Sequence, residues 1–268
     1  MARVATRLGV PATAAVLVGG DTGRALAAEL AAEGVDVVAG EIAQATRESL
    51  TVDELRTGRQ FRFLLPGPAV SSDEIDCFAG IVERLAAQHR HVILSGSMPV
   101  GVDGSCLHGL IKRVRGHKVE VVVDTSGAAL LHAARAGVMV LKPSVNELAR
   151  AIGRSMSTDG ELAAGARQLL ALGDNRAVLV SMGAAGALLV ERDQPDFRIA
   201  APAVVSVSVI GAGDSLVAGF VVALERGLSL SEAVRFGVAT GSATVIRKGS
   251  ALCEADDVER LYAAMVSR

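Results

Sequence analysis

Short runs of β-branched residues alternate with longer Ala- and Leu-rich stretches at helical spacing along most of the chain, and few architectures accept that alternation. The runs at 13–18, 35–39, 92–95, 119–123, 138–141 and 177–181 read as strands, several of them almost wholly apolar, as strands covered on both faces are. Between them, the stretches near 22–33, 73–88, 105–115, 127–135, 145–152 and 159–172 predict helices, most opening after an Asp, Ser or Thr that can cap the first turn. Repetition of strand, helix and strand predicts a mostly parallel sheet between two helical layers. Two segments depart from it: 49–55 and 60–65 partly alternate polar and apolar residues on either side of Arg56-Thr57-Gly58-Arg59, and predict a hairpin standing off the sheet. Beyond Ser181 the runs 187–191, 197–200 and 204–209 predict an antiparallel edge, and 213–226, 230–246 and 255–266 predict closing helices. No repeat or linker divides the 268 residues, so the expectation is one α/β domain with a small lid at about 46–66.

Composition narrows the partners. Half of the residues are hydrophobic (50%) but only 3% are aromatic, so a large core must be built from Ala, Val, Leu and Ile, which excludes a disordered chain. Lys and Arg number 27 against 29 Asp and Glu, leaving no basic field for a phosphate backbone, and the scarcity of aromatics removes stacking platforms; nucleic acid is excluded as a partner. Cys77, Cys106 and Cys253 form no C-x-x-C pair and the five histidines show no metal-binding spacing, which speaks against a zinc site or a disulfide frame. The longest apolar stretch, 209–224, contains Asp214 and is shorter than a bilayer span of about 20 residues. Pro11 and Thr13 interrupt the opening segment, which has no cleavage pattern, so the expectation is a soluble, cytoplasmic protein with no membrane partner.

Two glycine clusters could hold phosphate. Gly19-Gly20-Asp21-Thr22-Gly23 follows a strand and precedes Glu41, as in a dinucleotide fingerprint, but its spacing fails G-x-G-x-x-G; a nicotinamide enzyme rests on it alone, against an ordinary strand-to-helix turn. In Ile210-Gly211-Ala212-Gly213-Asp214-Ser215, small residues open a helix, where bare N–H groups and the positive helix end favour a phosphoryl group. Asp214, in the first turn, is favoured as the carboxylate there and could accept a proton from an alcohol; close packing of the glycines is the alternative reading. Three further loops, Ser95-Gly96-Ser97-Met98-Pro99, Lys142 to Leu148 and Ser181 to Gly186, sit at carboxyl ends of predicted strands, the edge at which open α/β sheets bind ligands.

With these segments, and with Thr46-Arg47, Gln60-Phe61-Arg62-Phe63, Asp124-Thr125-Ser126-Gly127 and Arg235-Phe236-Gly237-Val238, the chain resembles the ribokinase-like (phosphofructokinase B) sugar kinases over nearly its whole length. The lid segment favours the 6-phosphofructokinase branch. The resemblance implies a three-layer α/β/α fold with a β lid, and ATP-dependent phosphorylation of fructose 6-phosphate at C1, with tagatose-6-phosphate kinase and 1-phosphofructokinase as neighbouring alternatives. It implies that Asp214 is the base, that Gly211, Ala212 and Gly213 hold the transferred phosphoryl, and that Arg47 and Ser97 contact the sugar phosphate. For ATP it points to Lys142, Ser144, Ser181, Met182, Gly183, Ala184, Ala185, Gly186, Ser206, Val238 and Ser242, with Val238 against the adenine. Glu147 would orient Mg²⁺ through water, and Ser208, Ile210, Thr244 and Gly249 would offer oxygens to K⁺. A homodimer through the lid is also implied.

Departures from the family pattern carry expectations of their own. Ser144 stands where the family has Asn, Val209 where it has Thr, and Arg247 and Ala251 replace Asn and Arg beside the potassium loop. Met1 aligns inside the family's first helix, so the strand and the substrate-contacting Asp that precede it in relatives have no counterpart; weak or absent turnover, or a nucleotide-binding relative without catalysis, is the expectation that follows.

Overall fold

A computed structural model describes residues 1–266 apart from Leu55 and Gly58; the side chains of Asp53, Gln60 and Arg62 also lie outside the described residues, and with them the polar half of the lid motif. In chain order the elements are α1 (Ala2–Arg7), β1 (Thr13–Val18), α2 (Gly20–Ala32), β2 (Asp36–Glu41), β3 (Ser49–Glu54), β4 (Arg59–Leu64), α3 (Ser72–Ala86), β5 (His91–Ser95) and α4 (Gly104–Arg115). There follow β6 (Glu120–Asp124), α5 (Gly127–Ala136), β7 (Val140–Leu141), α6 (Val145–Ile152), α7 (Asp159–Leu170), β8 (Ala177–Ser181), β9 (Ala187–Glu191), β10 (Phe197–Ile199), α8 (Ala212–Glu225), α9 (Leu230–Val245) and α10 (Ala255–Val266).

Six strands form the main sheet in the order β10-β9-β8-β7-β6-β5, parallel from β5 to β8 and antiparallel at β9 and β10; β1 and β2 pair in parallel as a separate ribbon, and β3 and β4 form an antiparallel hairpin. Period-two alternation explains why the sheet needs helices on both faces. Val122, Leu179 and Leu189 point into a core with Phe220 and Phe236 of α8 and α9, whereas Val121, Val123, Val178 and Val180 point into a second core with Ile111, Leu130, Leu148 and Leu169 of α4 to α7. The result is the three-layer arrangement.

Helix starts follow the local chemistry. Ser71 with Glu74, Ser144 with Glu147, Thr158 with Glu161 and Ser229 with Glu232 form reciprocal capping boxes, each satisfying two otherwise orphaned N–H groups. α8 and α9 cross unusually closely: a methyl group on Gly219 would lie 2.2 Å from the Thr240 hydroxyl oxygen, and one on Gly237 2.6 Å from the Leu216 carbonyl. That contact fixes the height at which α8 begins.

One expected strand is absent. Residues 204–209 alternate Val and Ser as a strand would, yet the N–H groups of Val207 and Ser208 donate to the carbonyl of Val245 at the end of α9, at 2.7 and 3.1 Å. A helix end with orphaned carbonyls has taken the donors that a neighbouring strand would have used. Val205 is consequently 84% exposed.

Candidate active site

The carboxyl ends of four adjacent strands and the amino end of α8 meet at one edge of the sheet. Gly96, just after β5, donates to the Asp124 carbonyl at 3.1 Å and accepts from the Thr125 hydroxyl at 2.8 Å; Lys142, after β7, donates its N–H to Val123 at 2.9 Å; Ser181, ending β8, donates to Pro143 at 2.9 Å. Each loop is thereby stitched to the next. Ser97, Thr125 and Asp214 line one cavity.

Gly211 caps α8 in the left-handed region (φ +75°), a conformation glycine takes without strain, and sends the chain into the helix. As in any helix, the first N–H groups lack intrahelical partners, and Gly213 has open space where a side chain would be. Asp214 is exposed in this turn, so a hydroxyl can donate to its carboxylate while an anion reaches the bare N–H of Gly213. The structure thus places the exposed Asp214 beside the open backbone of Gly213 at the start of α8.

Lys142 is 5% exposed, and its Nζ lies 3.0 Å from Oδ1 of Asp124. Burial pushes the Asp124 carboxyl above the usual carboxylate range; the Lys142 ammonium pulls it down, and the nearby carboxylates Asp214 and Glu147 push it up again. Asp214 and Glu147 thus act on Asp124 through charge alone, and among the described residues no group of three or more carboxylate, His or Cys side chains is placed to hold a metal ion by itself. Asp124 was legible only as part of a family motif; its pairing with Lys142 needed two strands to be adjacent.

Other expected residues have further partners. Ser144 and Glu147 cap each other: Glu147 accepts from the Ser144 N–H at 2.7 Å and donates its own N–H to the Ser144 hydroxyl at 3.3 Å. The S-x-x-E spacing announces such a box, and it accounts for both residues without a ligand. Ser181 to Gly186 is the turn between β8 and β9, with Met182 donating to Gly186 at 2.8 Å and with Gly183, Ala184 and Ala185 exposed. Gly186 is demanded by packing, since a methyl group there would lie 2.0 Å from the Ile199 carbonyl. Val238 and Ser242 are 3% and 7% exposed on the inner face of α9, while Ser206 is exposed on the irregular segment before α8.

The expected potassium residues are drawn together and bonded to the chain itself. The Ser208 hydroxyl donates to the Gly249 carbonyl at 2.9 Å and accepts from the Ile210 N–H at 3.3 Å, and the buried Thr244 hydroxyl donates to the Thr240 carbonyl at 3.2 Å. Arg247 pairs with Asp257, which compensates its charge beside this loop.

Of the residues expected at the sugar phosphate, Arg47 is exposed, its guanidinium running alongside Gly67, and Ala69 bridges to Val100 in the loop that carries Ser97. The glycines at 19–23 prove to be packing residues. A methyl group on Gly19 would lie 2.0 Å from the Gln44 carbonyl, and Gly19 exchanges hydrogen bonds with Thr46 at 2.9 and 3.0 Å, so the segment bearing Arg47 fills the place a dinucleotide would need. A nicotinamide site is set aside on that ground. No described helix is long and apolar enough to cross a membrane.

Comparison with known proteins agrees with this layout. Residues 1–257 match the family described as pfkB family carbohydrate kinase. The ATP-dependent 6-phosphofructokinase isozyme 2 of Mycobacterium tuberculosis (strain ATCC 25618 / H37Rv) is 39% identical over 262 residues, covering 98% of this chain and 77% of the relative. A 1-phosphofructokinase of Borreliella burgdorferi is 31% identical over 258 residues, covering 96% of this chain and 82% of the relative. Among solved structures, phosphofructokinase-2 from Escherichia coli in complex with potassium superimposes with a TM-score of 0.94 at 36% identity, over 100% of this chain and 86% of that one.

Proposed function

The chain belongs to the pfkB family of carbohydrate kinases, and from that membership we propose that it transfers the γ-phosphoryl group of ATP to the C1 hydroxyl of fructose 6-phosphate. The observation that carries the reading is the exposed Asp214 carboxylate in the first turn of α8, beside the open backbone of Gly213 and in one cavity with Ser97 and Thr125. Asp214 takes the proton of the attacking hydroxyl, and the N–H groups around Gly211, Ala212 and Gly213 receive the charge that spreads over the phosphoryl oxygens. A loose transition state asks for position and charge stabilisation more than for a strong base, and a carboxylate suffices. Arg47 grips the 6-phosphate with a planar, bidentate donor set, and Ser97 contacts the sugar.

Lys142, held by Asp124, faces the transferred group, and Ser144, Ser206, Val238, Ser242 and the 181–186 turn border the nucleotide. Glu147 and Asp124 are the carboxylates that would orient magnesium bound with ATP through water, and that ion would neutralise charge on the phosphates. Ser208, Ile210, Thr244 and Gly249 are the residues we assign to a potassium ion, the Gly249 carbonyl and the Thr244 hydroxyl each keeping a free lone pair. A homodimer belongs to the same proposal. Leu50, Val52, Phe61 and Phe63 share one face of the β3–β4 hairpin by register, and at 61%, 50%, 47% and 54% exposure they form an apolar surface that a two-stranded ribbon cannot bury by itself.

The test is ADP release with Mg-ATP and fructose 6-phosphate, run beside fructose 1-phosphate and tagatose 6-phosphate, with Asp214→Asn as control. Turnover on fructose 6-phosphate that the substitution abolishes is the expected result. Preference for another sugar phosphate moves the chain to that branch of the family; ATP binding by calorimetry without turnover replaces the enzyme with a nucleotide-binding relative.

A further inference from the structure

The two residues at the carboxyl end of β6 reach in opposite directions along the sheet edge. Asp124 turns toward the loop after β7, its Oδ1 lying 3.0 Å from Nζ of Lys142, and Thr125 turns toward the loop after β5, its hydroxyl donating to the Gly96 carbonyl at 2.8 Å. The Gly96 N–H in turn donates to the Asp124 carbonyl at 3.1 Å, so both polar groups of this glycine are held by the Asp124-Thr125 pair. Ser97, the next residue, is exposed and makes no hydrogen bond of its own among the described residues.

What orients Ser97 is therefore the residue before it. The Gly96 carbonyl and the Ser97 N–H belong to one planar trans peptide unit and point opposite ways, so a bond that orients the carbonyl orients the N–H as well. With the carbonyl turned to Thr125, the Ser97 N–H is turned away from it, unpartnered among the described residues. Gly96 takes φ +109°, which side chains rarely allow, while a methyl group on it would meet nothing within 4 Å; conformation rather than space demands glycine here. Thr125 is buried, so its hydroxyl has little access to water and depends on the Gly96 carbonyl for a partner. It lines the cavity that Ser97 and Asp214 line, whereas Lys142, Ser144 and Ser181 lie outside that lining. Thr125 thus stands with the residues assigned to the attacking sugar phosphate, not with those assigned to the nucleotide.

We propose that Thr125 is a positioning residue for the sugar phosphate: its hydroxyl holds the peptide between Gly96 and Ser97 so that the N–H and hydroxyl of Ser97 meet the substrate already oriented. The inference rests on the assignment of Ser97 to the sugar phosphate. Donors ordered by the fold cost less to engage, because their freedom is lost on folding and not on binding. A contact made in the ground state as in the transition state shows its loss in KM more than in kcat. A hydroxyl that only closed the end of β6 would instead act on both substrates alike.

Steady-state kinetics on variants of the full chain test this. Thr125→Val keeps the shape and removes the donor, Thr125→Ser keeps the donor, and Gly96→Ala disturbs the same peptide from its other side without touching a hydroxyl. The probe is whichever of fructose 6-phosphate, fructose 1-phosphate and tagatose 6-phosphate the parent turns over best with Mg-ATP. Thr125→Val is expected to raise the KM for that sugar phosphate by about three- to tenfold and to leave the KM for ATP close to the parent's. Gly96→Ala should raise the same KM, and Thr125→Ser should bring it back to within about twofold of the parent. An unchanged sugar-phosphate KM in Thr125→Val, an equal rise for both substrates, or no recovery in Thr125→Ser would overturn the proposal and leave the kinase reading in place. If Thr125→Val does not fold, an unchanged sugar-phosphate KM in Gly96→Ala overturns it by itself. A parent without turnover on any of the three sugar phosphates overturns the kinase reading and this inference with it.

Discussion

β8 and β1 are short, apolar strands of the same kind, Ala-Val-Leu-Val-Ser and Thr-Ala-Ala-Val-Leu-Val, yet they end in different surroundings. β8 lies between two bonded strands and two helical layers, with Ala177, Val178, Leu179 and Val180 at most 1% exposed; β1 is half-buried up to Leu17 and bonded on one edge. The contrast extends to the site. Lys142, Asp124 and the start of α8 stand on the doubly covered half, whereas Arg47 and Ser97 stand on loops of the half with the open edge. The loops we assign to phosphoryl transfer stand on the tightly packed half, and those we assign to the sugar phosphate stand on the less buried one.

The largest expected effect is on catalysis. Asp214→Asn should lower kcat by at least about 10²-fold, while the thermal midpoint and ATP affinity by calorimetry stay close to those of the parent, because the side chain is exposed at a helix start. A large loss of stability instead would mean that the carboxylate is structural. Next comes packing. Leu179→Ala should cost about 2–5 kcal/mol in denaturant unfolding, and Leu17→Ala, in the cavity wall, clearly less because its surroundings are already open. Equal costs would break the comparison between the two halves.

The lid offers a third contrast. On the proposed homodimer, Leu50→Glu with Phe63→Glu should halve the mass measured by light scattering and leave the unfolding midpoint of the isolated subunit nearly unchanged, since both side chains are exposed in one protomer.

The smallest effects are on pH dependence, and they have opposite signs. Backbone and hydroxyl donors of Ser157, then of Thr158, hold Glu161 at about 2; its stabilisation is complete above the ordinary 4.5 and disappears as pH falls through about 2. Glu161→Gln should therefore flatten the acid limb of the thermal midpoint. Burial raises Asp124 above the ordinary 3.8, so its contribution is complete below that value and is lost as pH rises through the raised one. Asp124→Asn should remove this decline with rising pH, read as a slope because leaving Lys142 unpaired lowers the midpoint as well. A slope of the same sign in both variants would refute the difference in environment.

Much of this was legible in the residues. The alternation of strand and helix, the hairpin at 49–65 and the antiparallel edge at 187–200 follow from local periodicity and turn chemistry, and the structure contains them. The helix start at 210–215 was legible from its glycines and Asp, although close packing of the glycines was an equal reading of the same residues. The strand expected at 204–209 was misread because alternation reports only one face to bury, while the actual hydrogen-bond acceptor of Val207 and Ser208, Val245, lies 38 and 37 residues further along the chain. The glycines at 19–23 carry the same lesson: their need for space comes from the 42–46 segment, which no local pattern announces.

The sequence by itself determined the order of elements, their caps and the carboxylate at the start of α8, since each depends on neighbours within a turn or two of the chain. Only the tertiary structure decided that Asp124 meets Lys142 and that Ser97 and Asp214 share a cavity. Those are relations between separate elements, set by which edges and faces come together when the layers pack, and the spacing of residues along one element carries no record of them.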